Sequence, residues 1–187
     1  QEIIPTFVSG EKEEYRGAAR GTAYHRLMEC LDYTAVDSES QIHKQITALT
    51  EAKKMAYEEA QCIRIQDIMT FLHSEIGQRM KKAFEADQLY REQPFVLAQS
   101  MKNIEKDWNG EETVLVQGII DAYFIEDEEI VLVDYKTDRV RKGEEQHLID
   151  LYHTQLEDYA QALERMLQKK VKETCIYSFT LGKMIPV

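Results

Sequence analysis

The chain has 187 residues, of which 43% are apolar, and it carries a formal net charge of −11 at pH 7. This length and composition predict one globular domain, residues 1–187, with a sizeable core. No apolar run approaches the roughly 20 residues that a membrane span needs, so no membrane partner is predicted. The acidic balance argues against a protein that coats nucleic acid through bulk electrostatics. It does not exclude a nuclease, whose substrate meets only a local surface.

Three cysteines, Cys30, Cys62 and Cys175, are odd in number and far apart in the sequence. They form no CxxC pair, so neither a zinc site nor an iron–sulfur cluster is predicted. Buried, reduced thiols and a cytoplasmic location are the expectation. The first residue is Gln and no signal peptide opens the chain, which suggests a fragment of a longer cytoplasmic protein.

The first half of the chain reads as helical. Residues 1–16 are polar and contain Pro5, which predicts an extended lead-in. Apolar residues then recur at helical spacing in three blocks, at 17–33, 38–55 and 60–86. The first block contains Gly21 and His25. A glycine inside a helix costs about 1 kcal/mol relative to alanine, which is understandable where another backbone comes close. A lone His25 is more often a packed core histidine than a ligand.

Residues 89–187 are predicted to hold the sheet, the active site and a long helix. Strands are predicted at 89–97, 114–125, 130–136 and 172–180, and a helix at 142–169. Residues 103–112 read as a connection, and 181–183 as a turn before a short tail. Pro94 confines the first strand to a sheet edge or a bulge. Gly118 would let a helix approach, and Glu92 is interpreted as a surface residue, with a role at the site as the alternative.

The chemistry concentrates in the hairpin formed by the second and third strands. The polar tetrad at 126–129 is the predicted turn. If the turn is centred between Asp127 and Glu128, then Asp121 and Asp134 are equidistant from that centre and directly opposed. Opposed residues have Cβ atoms about 4.5–5.5 Å apart.

Two carboxylates that close repel each other unless a proton or a cation lies between them, and Mg²⁺ or Mn²⁺ is the economical answer. Lys136 alternates onto the same face as Asp134 and could orient an attacking water or steady charge on a phosphate. Gln155 and Tyr159, one helical turn apart, share a flank that could face this hairpin end. The alternative is a solvated hairpin tip whose acids point at water. The lysine on the same face and the flanking apolar runs favour a site.

Four blocks in a fixed order carry a family resemblance: Gly21-Thr-x-x-His25, Gly118-Ile-Ile-Asp121, Asp134-Tyr-Lys136-Thr-Asp138 and Gln155-Leu-x-x-Tyr159-Ala. Together they resemble the RecB-like branch of the PD-(D/E)xK nuclease superfamily. More narrowly, they are similar to the C-terminal nuclease domain of the AddA/RexA-type subunit of bacterial ATP-dependent helicase–nucleases. The resemblance covers residue 17 to the end, and it implies an α/β fold with a central mixed β-sheet flanked by helices.

The resemblance also implies roles for individual residues. It implies a Mg²⁺ site, at which Mn²⁺ or Ca²⁺ could substitute, held by His25, Asp121, Asp134 and the backbone carbonyl of Tyr135. It raises His25 from core residue to ligand. Lys136 would act at the attacking water, and Gln155 and Tyr159 would support the site or touch DNA. The family's proline before the first acid is replaced here by Ile120.

The implied function is that of a Mg²⁺-dependent deoxyribonuclease of the exonuclease type, acting in double-strand break repair and recombination. Its implied partners are DNA, helicase domains of the same longer chain and an AddB/RexB-type subunit. The cysteine set of cluster-bearing relatives and the Walker lysine motif are both absent from the sequence. Two alternatives are a degenerate nuclease fold that binds DNA or a partner without cleavage, and a purely helical interaction protein. The second leaves the acidic hairpin unexplained.

Overall fold

Five strands form one mixed sheet in the part of the chain that the structure describes. The computed structural model describes the backbone of residues 6–100 and 112–187, and the side chains of residues 17–99 and 112–187. The strands are β1 (Leu89–Ser100), β2 (Thr113–Glu126), β3 (Glu129–Lys136), β4 (Val171–Ser178) and β5 (Lys183–Pro186). They lie in the order β1-β2-β3-β4-β5, and every neighbouring pair is antiparallel except β3 and β4, which are parallel. The predicted mixed sheet is confirmed.

Helices cover both faces of this sheet. They are α1 (Thr6–Cys30), α2 (Glu39–Glu51), α3 (Tyr57–Ala60), α4 (Ile65–His73), α5 (Glu75–Glu85) and α6 (Glu145–Leu167). The core on one face joins α1, α2, α4 and α5 to the sheet through residues such as Phe124 and Val133. The core on the other face joins α6 to the sheet through residues such as Ile120 and Leu132. The central strand β3 is therefore buried from both sides, as its continuous apolar run predicts.

The β2–β3 hairpin has the predicted register. Ala122 pairs with Val133 and Glu126 with Glu129, so the turn consists of Asp127 and Glu128 alone. Both turn residues have positive φ, +52° and +66°. A two-residue turn of this kind matches the right-handed twist of the strands and fixes their register.

The first and last predicted segments need correction. Helix α1 begins at Thr6, so residues 6–16 are helical rather than an extended lead-in. Pro5 directly precedes the helix, where a missing backbone N–H breaks no helical hydrogen bond. The predicted tail is also structured, because Lys183–Pro186 pairs with β4 after a turn in which Gly182 has a φ of +64°.

The helical block predicted at 60–86 is divided at Ser74. This residue ends α4 with an extended backbone and accepts a hydrogen bond from the N–H of Gly77, which caps α5. A Cβ added at Gly77 would lie 2.0 Å from the carbonyl oxygen of Phe71. Only glycine fits this close approach of two consecutive helices.

Other expectations concern the edge strand and the cysteines. β1 is an edge strand, as Pro94 predicted. The connection predicted at 103–112 lies, apart from its last residue, outside the described residues. The three cysteines are free thiols, but only Cys175 is buried, and Cys30 and Cys62 are half-exposed. Among the described residues, no helix is both long and apolar enough to cross a membrane.

Candidate active site

The two predicted acids lie where the β2–β3 pairing ends. Asp121 and Asp134 are the next residues in the register after the last pair, Ala122 and Val133. The side chain of Asp134 is 3% exposed and that of Asp121 is 13% exposed. The backbone N–H of Tyr135 donates a hydrogen bond to Oδ2 of Asp121 at 2.8 Å. The hairpin therefore brings both carboxylates to one buried corner of the sheet.

His25 reaches this corner from α1. Its Nε2 lies 3.0 Å from Oδ2 of Asp121, and its Nδ1 lies 2.9 Å from the carbonyl oxygen of Gly21. Burial lowers the pKa of His25, but the hydrogen bond and the charge of Asp121 outweigh it and raise that pKa to about 9. Both ring nitrogens then carry protons near neutral pH and donate to these two oxygens. His25 is thus joined to the first acid and is not merely a core histidine.

Asp134 is held in an unfavourable environment. Burial, and then the charge of Asp121, raise its pKa from 3.8 to about 6. Lys136 Nζ lies 2.6 Å from Oδ2 of Asp134. That contact lacks the angles of a hydrogen bond, so the buried Oδ2 has no hydrogen-bond partner among the described residues. A buried carboxylate oxygen without a donor is rare and calls for a further ligand.

Lys136 has a second contact that the sequence did not reveal. Its Nζ lies 4.0 Å from the centre of the Tyr152 ring in α6. The Tyr152 hydroxyl donates a hydrogen bond to Oδ1 of Asp138 at 2.9 Å. The sequence analysis assigned Tyr152 only to the buried stripe of the helix, because nothing in its spacing relates it to a lysine sixteen positions earlier.

The predicted pair in α6 is also present. Gln155 Nε2 donates a hydrogen bond to the Tyr159 hydroxyl at 2.8 Å. Burial, followed by the negative charges of Asp134 and Asp121, raises the pKa of Tyr159 to about 12. The pair therefore lies on the flank of α6 that feels the two acids.

The two motif glycines have reasons other than those predicted. A Cβ at Gly118 would meet the ring of Phe95 in β1 at 2.8 Å, whereas Tyr159 of α6 would lie 3.7 Å away. The missing side chain thus accommodates a neighbouring strand first and the helix second. At Gly21 the nearest atom is the Thr137 hydroxyl at 3.5 Å, an ordinary van der Waals contact rather than a close backbone approach.

Arg20 joins α1 to the end of β3 and was not predicted. Its Nη1 donates to the carbonyl oxygen of Thr137 at 2.9 Å, and its Nη2 donates to Oδ2 of Asp67 at 3.3 Å. The same Asp67 oxygen accepts the hydroxyl of Tyr24 at 2.6 Å. This network ties the helix that carries His25 to the residue that follows Lys136.

A cleft of about 410 Å³ opens beside His25 and is lined by Gly21, Thr22, His25, Arg26, Glu29 and Glu92. Glu92 has a φ of +50°, a conformation that is uncommon for a residue with a side chain. Burial, and then the charges of Asp121 and Glu29, raise the pKa of Glu92. Glu92 therefore faces the site, which was the alternative reading of its sequence position.

The donors at this corner suit a hard divalent cation. Carboxylate oxygens and an imidazole nitrogen are present, and the buried Oδ2 of Asp134 accepts no hydrogen bond from the described residues. Within residues 17–99 and 112–187, however, no three His, Cys, Asp or Glu side chains already surround one point. The reason is that Asp121 is engaged by His25 and by the Tyr135 N–H. The residues fit a cation by their chemistry, once the His25 proton and that hydrogen bond are given up.

A mixed sheet that carries two acids and a lysine on adjacent strands has the fold of a PD-(D/E)XK nuclease. The model of the PD-(D/E)XK nuclease superfamily matches residues 4–184, and the chain belongs to this superfamily.

Relatives are similar over nearly the whole chain, and they are large subunits of ATP-dependent helicase/nucleases. The one from Alkaliphilus metalliredigens is 41% identical over 181 residues, which cover 96% of this chain and 15% of that protein. Proteins of the same name from Lachnoclostridium phytofermentans and Clostridium perfringens strain 13 are 34% and 35% identical over 98% of the chain. The chain spans 15–16% of the length of these relatives.

Proposed function

We propose that this chain is a metal-dependent DNA nuclease domain that hydrolyses phosphodiester bonds. The observation that carries the proposal is the buried Asp134. It lies beside Asp121 and in contact with Lys136, and it retains an oxygen to which none of the described residues donates a hydrogen bond. A purely structural carboxylate would be expected to accept hydrogen bonds instead. Membership of a nuclease superfamily supports the same conclusion.

The proposed cation is Mg²⁺, with Mn²⁺ or Ca²⁺ as substitutes in binding. Its ligands would be His25, Asp121, Asp134 and the backbone carbonyl of Tyr135. When bound, it would lower the pKa of a water molecule and neutralise charge on the scissile phosphate.

The remaining residues would act directly on the reacting groups. Lys136 donates protons to nearby oxygens and would orient the attacking water or hold the developing negative charge. Gln155 already donates to the Tyr159 hydroxyl, so that hydroxyl is free to donate in turn to a DNA phosphate. These roles need no bulk positive charge, in keeping with the acidic chain.

The biological setting is part of the proposal. The relatives are named as helicase/nuclease subunits and are more than six times as long as the chain. We therefore place the domain in a longer cytoplasmic polypeptide whose helicase domains deliver DNA to it, beside an AddB/RexB-type subunit. The setting would be double-strand break repair and recombination, with exonucleolytic cleavage.

Cleavage of labelled single- and double-stranded DNA tests the catalytic part. Asp134→Ala and Lys136→Ala should each abolish cleavage, and only Asp134→Ala should also abolish Mn²⁺ binding in isothermal titration, since the lysine is not a ligand. Asp127→Ala, in the turn of the same hairpin, is the matched control and should cleave normally. The assay is repeated in the full helicase assembly if the isolated chain is inactive. Full activity of Lys136→Ala, or DNA binding by a wild type that never cleaves, would refute the mechanism.

A further inference from the structure

Within the described part of the chain, two close neighbours hold the amino group of Lys136, and they differ in kind. One is Oδ2 of Asp134 at 2.6 Å, and the other is the Tyr152 ring, whose centre is 4.0 Å from Nζ. The Lys136 side chain is 13% exposed, so water does little to anchor its amino group. A lysine stem has four flexible carbons, and its amino group is positioned only by what it touches.

The carboxylate is the less dependable of the two neighbours. In the proposed function Asp134 Oδ2 takes a different partner during the reaction, and Lys136 then loses its ion pair. The ring contact does not involve that oxygen. The face of an aromatic ring attracts an ammonium group within about 6 Å of its centre, and the attraction strengthens where water is excluded.

The Tyr152 ring is itself held in place. Its hydroxyl donates to Oδ1 of Asp138 at 2.9 Å, and Asp138 follows Lys136 by two residues. The chain that leaves β3 therefore fixes, through Asp138, the ring that lies over the last residue of the strand. Donation of the hydroxyl proton to a carboxylate also increases the electron density of the ring, which strengthens its attraction for a cation.

We propose that Tyr152, held by Asp138, is a positioning residue for Lys136. It keeps the amino group at the two acids when Asp134 is engaged elsewhere. This role rests on the proposed function of Lys136 and adds to it a residue that touches neither the DNA nor the cation. It predicts that the ring matters more than its hydroxyl.

Two substitutions separate the ring from the hydroxyl. Tyr152→Phe keeps the ring, and Tyr152→Leu removes it while it preserves an apolar contact. In the cleavage assay at saturating Mn²⁺, Tyr152→Phe should stay within about threefold of wild type, and Tyr152→Leu should lose about tenfold or more in kcat. KM should stay within about twofold in both, because the ring does not contact the substrate. Tyr57→Leu, on an exposed helix, is the matched control.

A spectroscopic measurement tests the geometry independently of catalysis. Lysines are reductively methylated with ¹³C, which preserves their charge, and the Lys136 signal is assigned by its absence in Lys136→Arg. The ring should shift this signal upfield in wild type and in Tyr152→Phe, and the shift should vanish in Tyr152→Leu. An unshifted wild-type signal, or a kcat in Tyr152→Leu equal to that of wild type, overturns the proposal. If wild type cleaves nothing, the proposed function has failed, and the ring shift alone decides whether Tyr152 holds the lysine.

Discussion

Replacing Asp134 with asparagine should stabilise the folded chain while it removes the activity. The carboxylate is 2% exposed, and it lies beside a second acid in the absence of divalent cations. The ionised form is therefore the disfavoured one in the folded state. Asparagine has nearly the same shape and cannot ionise, so it removes this penalty.

The size of the effect follows from the pKa. Burial and Asp121 raise the Asp134 pKa from 3.8 to about 6. Each pKa unit corresponds to about 1.4 kcal/mol, so the ionised carboxylate costs about 3 kcal/mol above pH 6. The new amide also needs hydrogen bonds that the site does not fully supply, which costs about 1 kcal/mol or more. The expected net gain is about 1–2 kcal/mol near neutral pH.

The dependence on pH has a definite sign. Between about pH 4 and pH 6 the folded state binds more protons at Asp134 than the unfolded chain does, so wild-type stability falls as pH rises through this window. The asparagine variant lacks this fall. Urea unfolding at several pH values with a chelator present measures both quantities. The order should reverse with saturating Mn²⁺, because a ligand that binds only the folded wild type adds to its stability.

The matched control is Asp127→Asn in the hairpin turn. This side chain is 87% exposed, and its φ of +52° lies in the region that asparagine tolerates. The control should leave the urea midpoint and its pH dependence unchanged. If Asp134→Asn unfolds at lower urea than wild type in chelator at pH 7, the carboxylate is not strained and the reasoning fails.

Two further changes test the scaffold by urea unfolding. Arg79→Ala should cost about 1–3 kcal/mol, because Arg79 is 18% exposed and donates to Glu126. Those hydrogen bonds lower the Glu126 pKa to about 2, so this stabilisation is complete above pH 4.5 and is lost as pH falls towards 2; the variant should show a flatter acid limb. Gly118→Ala should cost about 1–3 kcal/mol because its methyl group meets Phe95 at 2.8 Å. Gly17→Ala, in open space within α1, should instead gain about 1 kcal/mol, and equal effects at the two glycines would contradict the packing.

The sequence predicts the hairpin well because the determinants of a hairpin are local. A polar tetrad between two apolar runs specifies a two-residue turn, and that turn determines every pair up to Ala122 and Val133. The side on which Lys136 lies follows from strand alternation, and its contact with α6 agrees. Strand and helix positions with a clear period are recovered to within a few residues.

The features that the sequence does not predict depend on contacts distant in the chain. His25 and Asp121 are 96 positions apart, and only the family resemblance connected them before the structure did. Pairing with β4 converts the last residues into β5, although their own sequence reads as a tail. Tyr152 looks like any other apolar position in its helix, because cation–π contacts leave no signature in spacing.

The network around Arg20 and His25 also has a consequence for biosynthesis. The ribosome makes α1 first, and the acid that His25 contacts appears 96 residues later. At about 5–20 residues per second, roughly 5–20 s of translation separate the two. β4, whose end holds the backbone of Lys136 through Phe179, is made later still. A growing chain thus contains no complete version of the proposed cleavage site until almost all of this domain has emerged, which protects nearby DNA from an enzyme that is still being made.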